Sequence, residues 1–228
     1  MNRRIPLLAV AAASFCIVLS GPAFSKALVV RSAGPSAKTY PPGKALPDSA
    51  KISLQPGDSL TILGPGSKRT LRGPGTFATA AGGAEVLAMT ASKRARFGAM
   101  RTGDLALNPN PWNLDVTQSG TVCVAASGPQ MWRPNSEEAA KLSISTGSSP
   151  ATTVDWPAGK STLAWPGSIK IADGSEYQLA LAGGTTSEKV KFAVLPSIPE
   201  GVTDAAQALI ARGCQNQLDV LVDGIEGE

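Results

Sequence analysis

Apolar and polar residues alternate in short runs along most of this chain, and turn residues interrupt the runs every few positions. Ala27-Leu28-Val29-Val30-Arg31 predicts a strand closed by Gly34-Pro35, and Tyr40-Pro41-Pro42-Gly43 predicts a turn. Lys51-Ile52-Ser53-Leu54 and Ser59-Leu60-Thr61-Ile62-Leu63 alternate as half-buried strands do, with Gln55-Pro56-Gly57-Asp58 turning the chain between them. Gly64-Pro65-Gly66 and Gly73-Pro74-Gly75 bracket a basic hairpin strand from Ser67 to Arg72. Strands so short and so closely spaced predict a small barrel or sandwich.

Between Ala84 and Met100 the residues become good helix formers, and Val86, Met89, Lys93, Phe97 and Met100 share one face at helical spacing. Alternation then returns. Thr121–Ala125, Leu142–Ser145, Glu176–Leu181 and Lys189–Val194 predict strands. Thr153–Trp156 and Ser161–Trp165 predict two more, joined as a hairpin through Pro157-Ala158-Gly159-Lys160. Thr203-Asp204 caps a closing helix predicted from about Ala205 to Val222, with Ala206, Leu209, Ile210, Cys214, Leu218 and Leu221 as its core stripe. The fold class is therefore mainly β, in two small barrel-like or sandwich-like domains with a helix closing each.

Charge divides the chain at the same place. Residues 26–104 carry twelve Lys/Arg against four Asp/Glu, a balance of +8, whereas residues 105–228 carry seven against thirteen, a balance of −6. All four tryptophans fall in the second part, and Asn108-Pro109-Asn110-Pro111 sits at the join. The predicted organisation is a basic β domain with a C-terminal helix over 26–104, a Pro-rich linker over 105–112, and an acidic, Trp-containing sandwich with a C-terminal helix over 113–228. Ahead of these, Arg3-Arg4, an apolar run from Ile5 to Leu19 and Ala23-Phe24-Ser25 predict a secretion signal over 1–25, cleaved after Ser25. The run is short for a membrane span, and no later segment approaches that length, so a mature chain without a span is expected in the periplasm or outside the cell.

The segments Val29-Val30-Arg31, Tyr40-Pro41-Pro42-Gly43-Lys44-Ala45-Leu46 and Ile52 to Leu63, the last holding Leu54-Gln55-Pro56-Gly57-Asp58-Ser59-Leu60, resemble a FecR-type periplasmic domain over residues 27–80. The resemblance implies an all-β envelope module of the kind found in iron-citrate signalling or beside peptidoglycan-binding modules. The chain as a whole is similar in character to secreted proteins of Gram-negative bacteria without an assigned activity. It lacks the anti-sigma segment and internal span of the signalling members, so transmembrane signalling is not implied here.

Candidate chemistry is narrow. The chain has no histidine, which removes the usual general base and metal ligand. Ala158-Gly159-Lys160-Ser161-Thr162 ends like a phosphate-binding loop, but Val154 stands where its first glycine belongs. No G-x-S-x-G elbow occurs, and the two cysteines expected to remain after cleavage, without histidine, do not make a usual zinc site. No catalytic, cofactor or metal residues are therefore assigned. Carboxylates alone leave a carbohydrate-active enzyme as an alternative, with Asp155, Asp173 and Glu176 as its candidates. Trp156-Pro157 and Trp165-Pro166 are weighed as sugar platforms against ordinary core packing.

Lys68, Arg69 and Arg72, with Lys93, Arg94 and Arg96, form a candidate patch for an anionic envelope polymer or lipid; solvated charge, or a surface that meets the acidic second domain, is the competing reading. Nucleic acid is a poor partner for an exported protein whose basic cluster lacks aromatics. The expected function is a non-enzymatic envelope binding or assembly module, with an accessory subunit of a membrane protein as a further alternative. Cys123, on an apolar strand, and Cys214, on the apolar face of the closing helix, are the only cysteines left after cleavage. An oxidising compartment predicts that they pair, against the alternatives of inert thiols or a bond between chains.

Overall fold

Alternating runs become strands wherever one side of the backbone has an apolar neighbour to meet. In the computed structural model the described residues are 26–64, 67–79, 107–147, 149–184 and 187–225. The expected signal over 1–25 and the expected helix over 84–100 lie outside them. The first part contains β1 (Lys26–Ala33), β2 (Ala45–Pro47), β3 (Lys51–Leu54), β4 (Ser59–Gly64), β5 (Ser67–Arg72) and β6 (Gly75–Ala78). β2-β1-β4-β5 form an antiparallel sheet, and β3 pairs with β6 in a second. β3 and β5 occupy the expected spans, whereas β2 and β6 are short strands that no clear alternation announces.

The four-stranded sheet is apolar on both faces. On one, Ala27, Val29, Leu60, Ile62 and Leu71 pack against Ile52, Leu54 and Phe77. On the other, Leu28, Val30 and Leu63 belong to a separate core. This double burial is why Ala27–Val30 reads as an unbroken apolar run. The turn before β4 is organised by Asp58, which is buried. Its carboxylate accepts the Ser36 N–H at 2.9 Å and also the Gln55 N–H. Gly34 (φ +98°) is required beside it, because a Cβ there would lie 2.5 Å from an Asp58 carboxylate oxygen. Burial acts to raise the Asp58 pKa, but hydrogen bonds from the Ser36 hydroxyl and N–H and the Gln55 N–H hold it below its ordinary 3.8.

The second part contains β7 (Asn113–Asp115), β8 (Gly120–Ala125), β9 (Gln130–Trp132), β10 (Ala140–Ser145), β11 (Thr152–Trp156), β12 (Thr162–Ala164), β13 (Glu176–Leu181) and β14 (Glu188–Leu195). They form a five-stranded sheet, β11-β10-β13-β14-β8, and a three-stranded sheet, β12-β9-β7. β8 runs parallel to β14 and β7 parallel to β9; the other pairs are antiparallel. Leu114, Met131, Leu142, Ile144, Leu179, Phe192 and Trp156 from the two sheets share one core, so this is a sandwich and not a closed barrel.

Three expectations are corrected. β11 and β12 are not a hairpin: β11 pairs with β10 and β12 with β9, so residues 157–161 cross from one sheet to the other. The crossing is driven by Trp156, which is 1% exposed between the sheets and donates its indole N–H to the Lys160 carbonyl at 2.8 Å. The closing helix is also two helices, α1 (Val202–Arg212) and α2 (Gln215–Asp223). Gly213 takes a left-handed conformation (φ +72°) and its N–H caps α1 on the Leu209 and Ile210 carbonyls, so the chain turns before Cys214. The first turn of α1 starts from Gly201 without a side-chain cap, not from Thr203-Asp204.

The two helices form a middle layer. Ala206, Leu209, Leu218 and Val222 meet Leu28, Val30 and Leu63 of the first sheet and Ala193 and Leu195 of β14 in a single core. Cys123 of β8 and Cys214, both fully buried, are joined by a disulfide with their Cα atoms 5.8 Å apart.

Two outcomes follow for stability. Because the folded Asp58 pKa is depressed, its contribution is complete above about pH 4 and is lost as pH falls through the folded value. Thermal melts are therefore expected to drop on acidification, and Asp58→Asn to lower the Tm at pH 7 while flattening that acid limb. The disulfide closes a loop with a sequence separation of 91, so Cys214→Ser is expected to cost up to about 4–5 kcal/mol on the chain-entropy view, read by denaturant titration.

Candidate functional site

Polar side chains in this protein divide into those the fold consumes and those it leaves outward. The expected basic patch lies on β5, an edge strand. Lys68 is half-buried and donates to the Val222 carbonyl of α2 at 2.8 Å. Arg69 donates to the Ala78 and Thr79 carbonyls at 3.2 and 3.3 Å, tying β5 to the end of β6. Arg72 is exposed and makes no hydrogen bond or ion pair among the described residues. Lys93, Arg94 and Arg96 lie outside the described residues. Of the three placed cations, two are therefore spent on packing and one is free.

Arg31, which the patch did not include, makes the contact between basic and acidic parts. It reaches Asp219 at 2.6 Å and Asp223 at 2.7 Å, one helical turn apart on α2. The hydrogen bond it donates to Asp223 raises its pKa above an already high value, against an opposing pull from burial and with help from Asp219. With Lys68 on Val222, the first sheet grips the C-terminal turns of α2 from two sides, where a cation also suits the helix dipole.

Trp156 and Trp165 are core residues. Trp165 packs edge-on against Tyr177 with ring centres 5.1 Å apart and against Phe192 at 5.0 Å, and donates to the Ile169 carbonyl at 3.1 Å. Neither Trp156 nor Trp165 presents a face for stacking a sugar. The acidic candidates are separated in role: Asp155 pairs with Lys141 at 2.6 Å on the sheet surface, while Asp173 accepts the Val194 N–H at 2.8 Å and stands 3.6 Å from Arg212. Glu176 is exposed at the rim of a pocket of about 430 Å³ that also takes in Lys170 and Tyr177.

Arg133 and Gln217 are buried polar residues that the sequence alone does not single out. Arg133, 4% exposed, has no carboxylate; it donates to the carbonyls of Glu138 (2.7 Å), Pro157 (3.1 Å) and Lys160 (3.3 Å) and lies over the Trp156 ring at 5.2 Å. Burial lowers its pKa. A lone cation between Trp132 and Pro134 was its signal in the sequence. Gln217 completes the outer edge of β8: the Cys123 N–H donates to its side-chain oxygen at 2.6 Å, and its amide nitrogen donates to the carbonyls of Cys123 (3.0 Å) and Pro111 (2.8 Å). A glutamine within an apolar helical stripe was its only mark.

Beside α2 runs a groove of about 720 Å³. Pro109, Pro111, Trp132, Val220 and Ile225 supply its apolar walls, and Asp115, Asp219 and Asp223 its charge. Asp115 is engaged locally, accepting from Thr117 and Gln118. Comparison of the chain with protein-family models, curated proteins and solved structures gives no match.

The Arg31 clasp is partly exposed, so its worth is that of surface ion pairs, about 0.2–1 kcal/mol for each. Arg31→Ala is expected to lower stability by about 1 kcal/mol, and added salt to weaken the parent chain more than the variant, both measured by denaturant titration at two ionic strengths.

Proposed function

We propose that this protein is a non-enzymatic binding or assembly module of the bacterial envelope, working in the periplasm after removal of residues 1–25. The observation that carries the reading is the unequal use of charge on the first module. Its described residues hold eight Lys/Arg against Asp48 and the buried Asp58. Packing consumes Arg31, Lys68 and Arg69, while Lys38, Lys51 and Arg72 remain exposed. Such outward cations are a means of meeting an anionic partner. The partner class is an anionic envelope polymer, an anionic lipid surface or an acidic envelope protein.

Supporting this reading are the resemblance of residues 27–80 to FecR-type domains and the Cys123–Cys214 disulfide, a bond that persists in oxidising compartments. Among the described residues no helix is long and apolar enough to cross a membrane.

Crosslinking in the native envelope followed by mass spectrometry identifies the partner. Against that partner, joint charge reversal at Lys38, Lys51 and Arg72 is expected to weaken binding by about tenfold or more at low salt. Raising the salt should weaken the parent's binding too, since exposed charges are screened beyond about 8–10 Å at ordinary ionic strength. Binding indifferent to both the reversal and the salt would refute the reading.

A further inference from the structure

The outer edges of the four-, five- and three-stranded sheets are treated differently, and that of β11 is left open. Gln217 seals the outer side of β8. β5 carries Lys68, Arg69 and Arg72 along its edge, and β2, β7 and β12 are three residues long. Such charges and short lengths are how proteins keep sheet edges from pairing. β11, by contrast, runs five residues in unbroken register with β10 and contains neither lysine nor proline. Its one acid, Asp155, makes a solvent-exposed pair with Lys141.

The backbone groups left open can be named. The Ala182 N–H donates to the Lys141 carbonyl at 2.8 Å, so the backbone groups of Lys141 face β13. Successive residues of a strand alternate, so Leu142 turns its N–H and carbonyl toward β11, opposite Val154. Thr152, Val154 and Trp156 therefore bond to β10, and Thr153 and Asp155 aim an N–H and a carbonyl each at the free edge. Both residues are exposed, and among the described residues no hydrogen bond reaches those four groups.

We propose that a second copy of this chain occupies that edge, the two β11 strands pairing antiparallel about a two-fold axis at Val154. In that register Thr153 faces Asp155 of the second copy and Asp155 faces its Thr153. The two pairs exchange all of the open N–H and carbonyl groups, and each threonine hydroxyl lies beside a carboxylate. A register centred on Asp155 is disfavoured, because it sets two carboxylates opposite each other. The contact uses the same surface on both copies, so it closes at the dimer and joins two sheets into one continuous sheet.

The test is sedimentation of the oxidised chain from about 1 µM to about 1 mM, a range suited to a short interface. A monomer–dimer equilibrium is expected. Thr153→Pro removes an outward N–H and no bond to β10, and is expected to give a monomer with an unchanged circular dichroism spectrum. Thr153→Asp and Thr153→Lys keep the test sharp should the proline disturb the strand: the first opposes like charges twice and is expected to weaken the dimer about tenfold at low salt, whereas the second opposes unlike charges and tightens it. A parent chain that stays monomeric throughout overturns the proposal and leaves the edge to an extended segment of another protein. A dimer for which both charged variants shift in the same direction overturns it as well.

Discussion

The seat of α2 along β8 governs the arrangement of the whole molecule. At one end of that seat the Cys123–Cys214 bond ties the start of α2 to the strand, and one turn further on Gln217 supplies the amide pair that a neighbouring strand would otherwise give. Covalent and hydrogen-bonded restraints thus act on the same residue, Cys123, from the same helix. With α2 fixed, its opposite side presents Leu218 and Val222 to the first sheet and Asp219 and Asp223 to Arg31. The first module takes its position from a helix whose own position is set by the second.

Charge contributes to this joint less than burial does. Arg31 and its two aspartates are substantially solvent-exposed, and pairs of that kind are weak in water. The core of Leu28, Val30, Leu63, Leu209, Leu218 and Val222 supplies the larger driving force, and the ion pairs select the orientation in which it forms. Elsewhere single buried polar groups organise loops. Asp58 gathers the N–H groups of two turns, and Arg133 gathers carbonyls from two segments without a counter-charge. Each is worth keeping only with all its partners in place, since an unsatisfied buried ion is costly.

Strand location was legible wherever alternation ran for four residues or more, as in β3, β4, β10, β13 and β14, and in β5 from the Gly-Pro-Gly turns at its two ends. The strands that were missed, β2, β6, β7 and β9, are three or four residues long, and a pattern of period two has no room to declare itself there. Pairing was less legible than location. Pro157-Ala158-Gly159-Lys160 has the composition of a hairpin loop, and only the buried indole of Trp156 reveals a crossing between sheets. The disulfide was readable because an expected oxidising compartment and a low cysteine count left few partners. The patch was only half readable: a run of cations states a charge, but whether Lys68 meets solvent or the end of α2 depends on a helix more than a hundred residues away.

The middle layer also has a consequence for biosynthesis. Both α1 and α2 follow every described strand in the chain, yet they cover apolar faces belonging to strands made long before them. A chain emerging from its N-terminus completes the first sheet while Leu28, Val30 and Leu63 have nothing to pack against, and that face stays bare until residues 202–223 arrive. Nascent chains of this protein thus pass through an interval in which a defined apolar patch is uncovered, and any product that stops short of α1 carries that patch permanently.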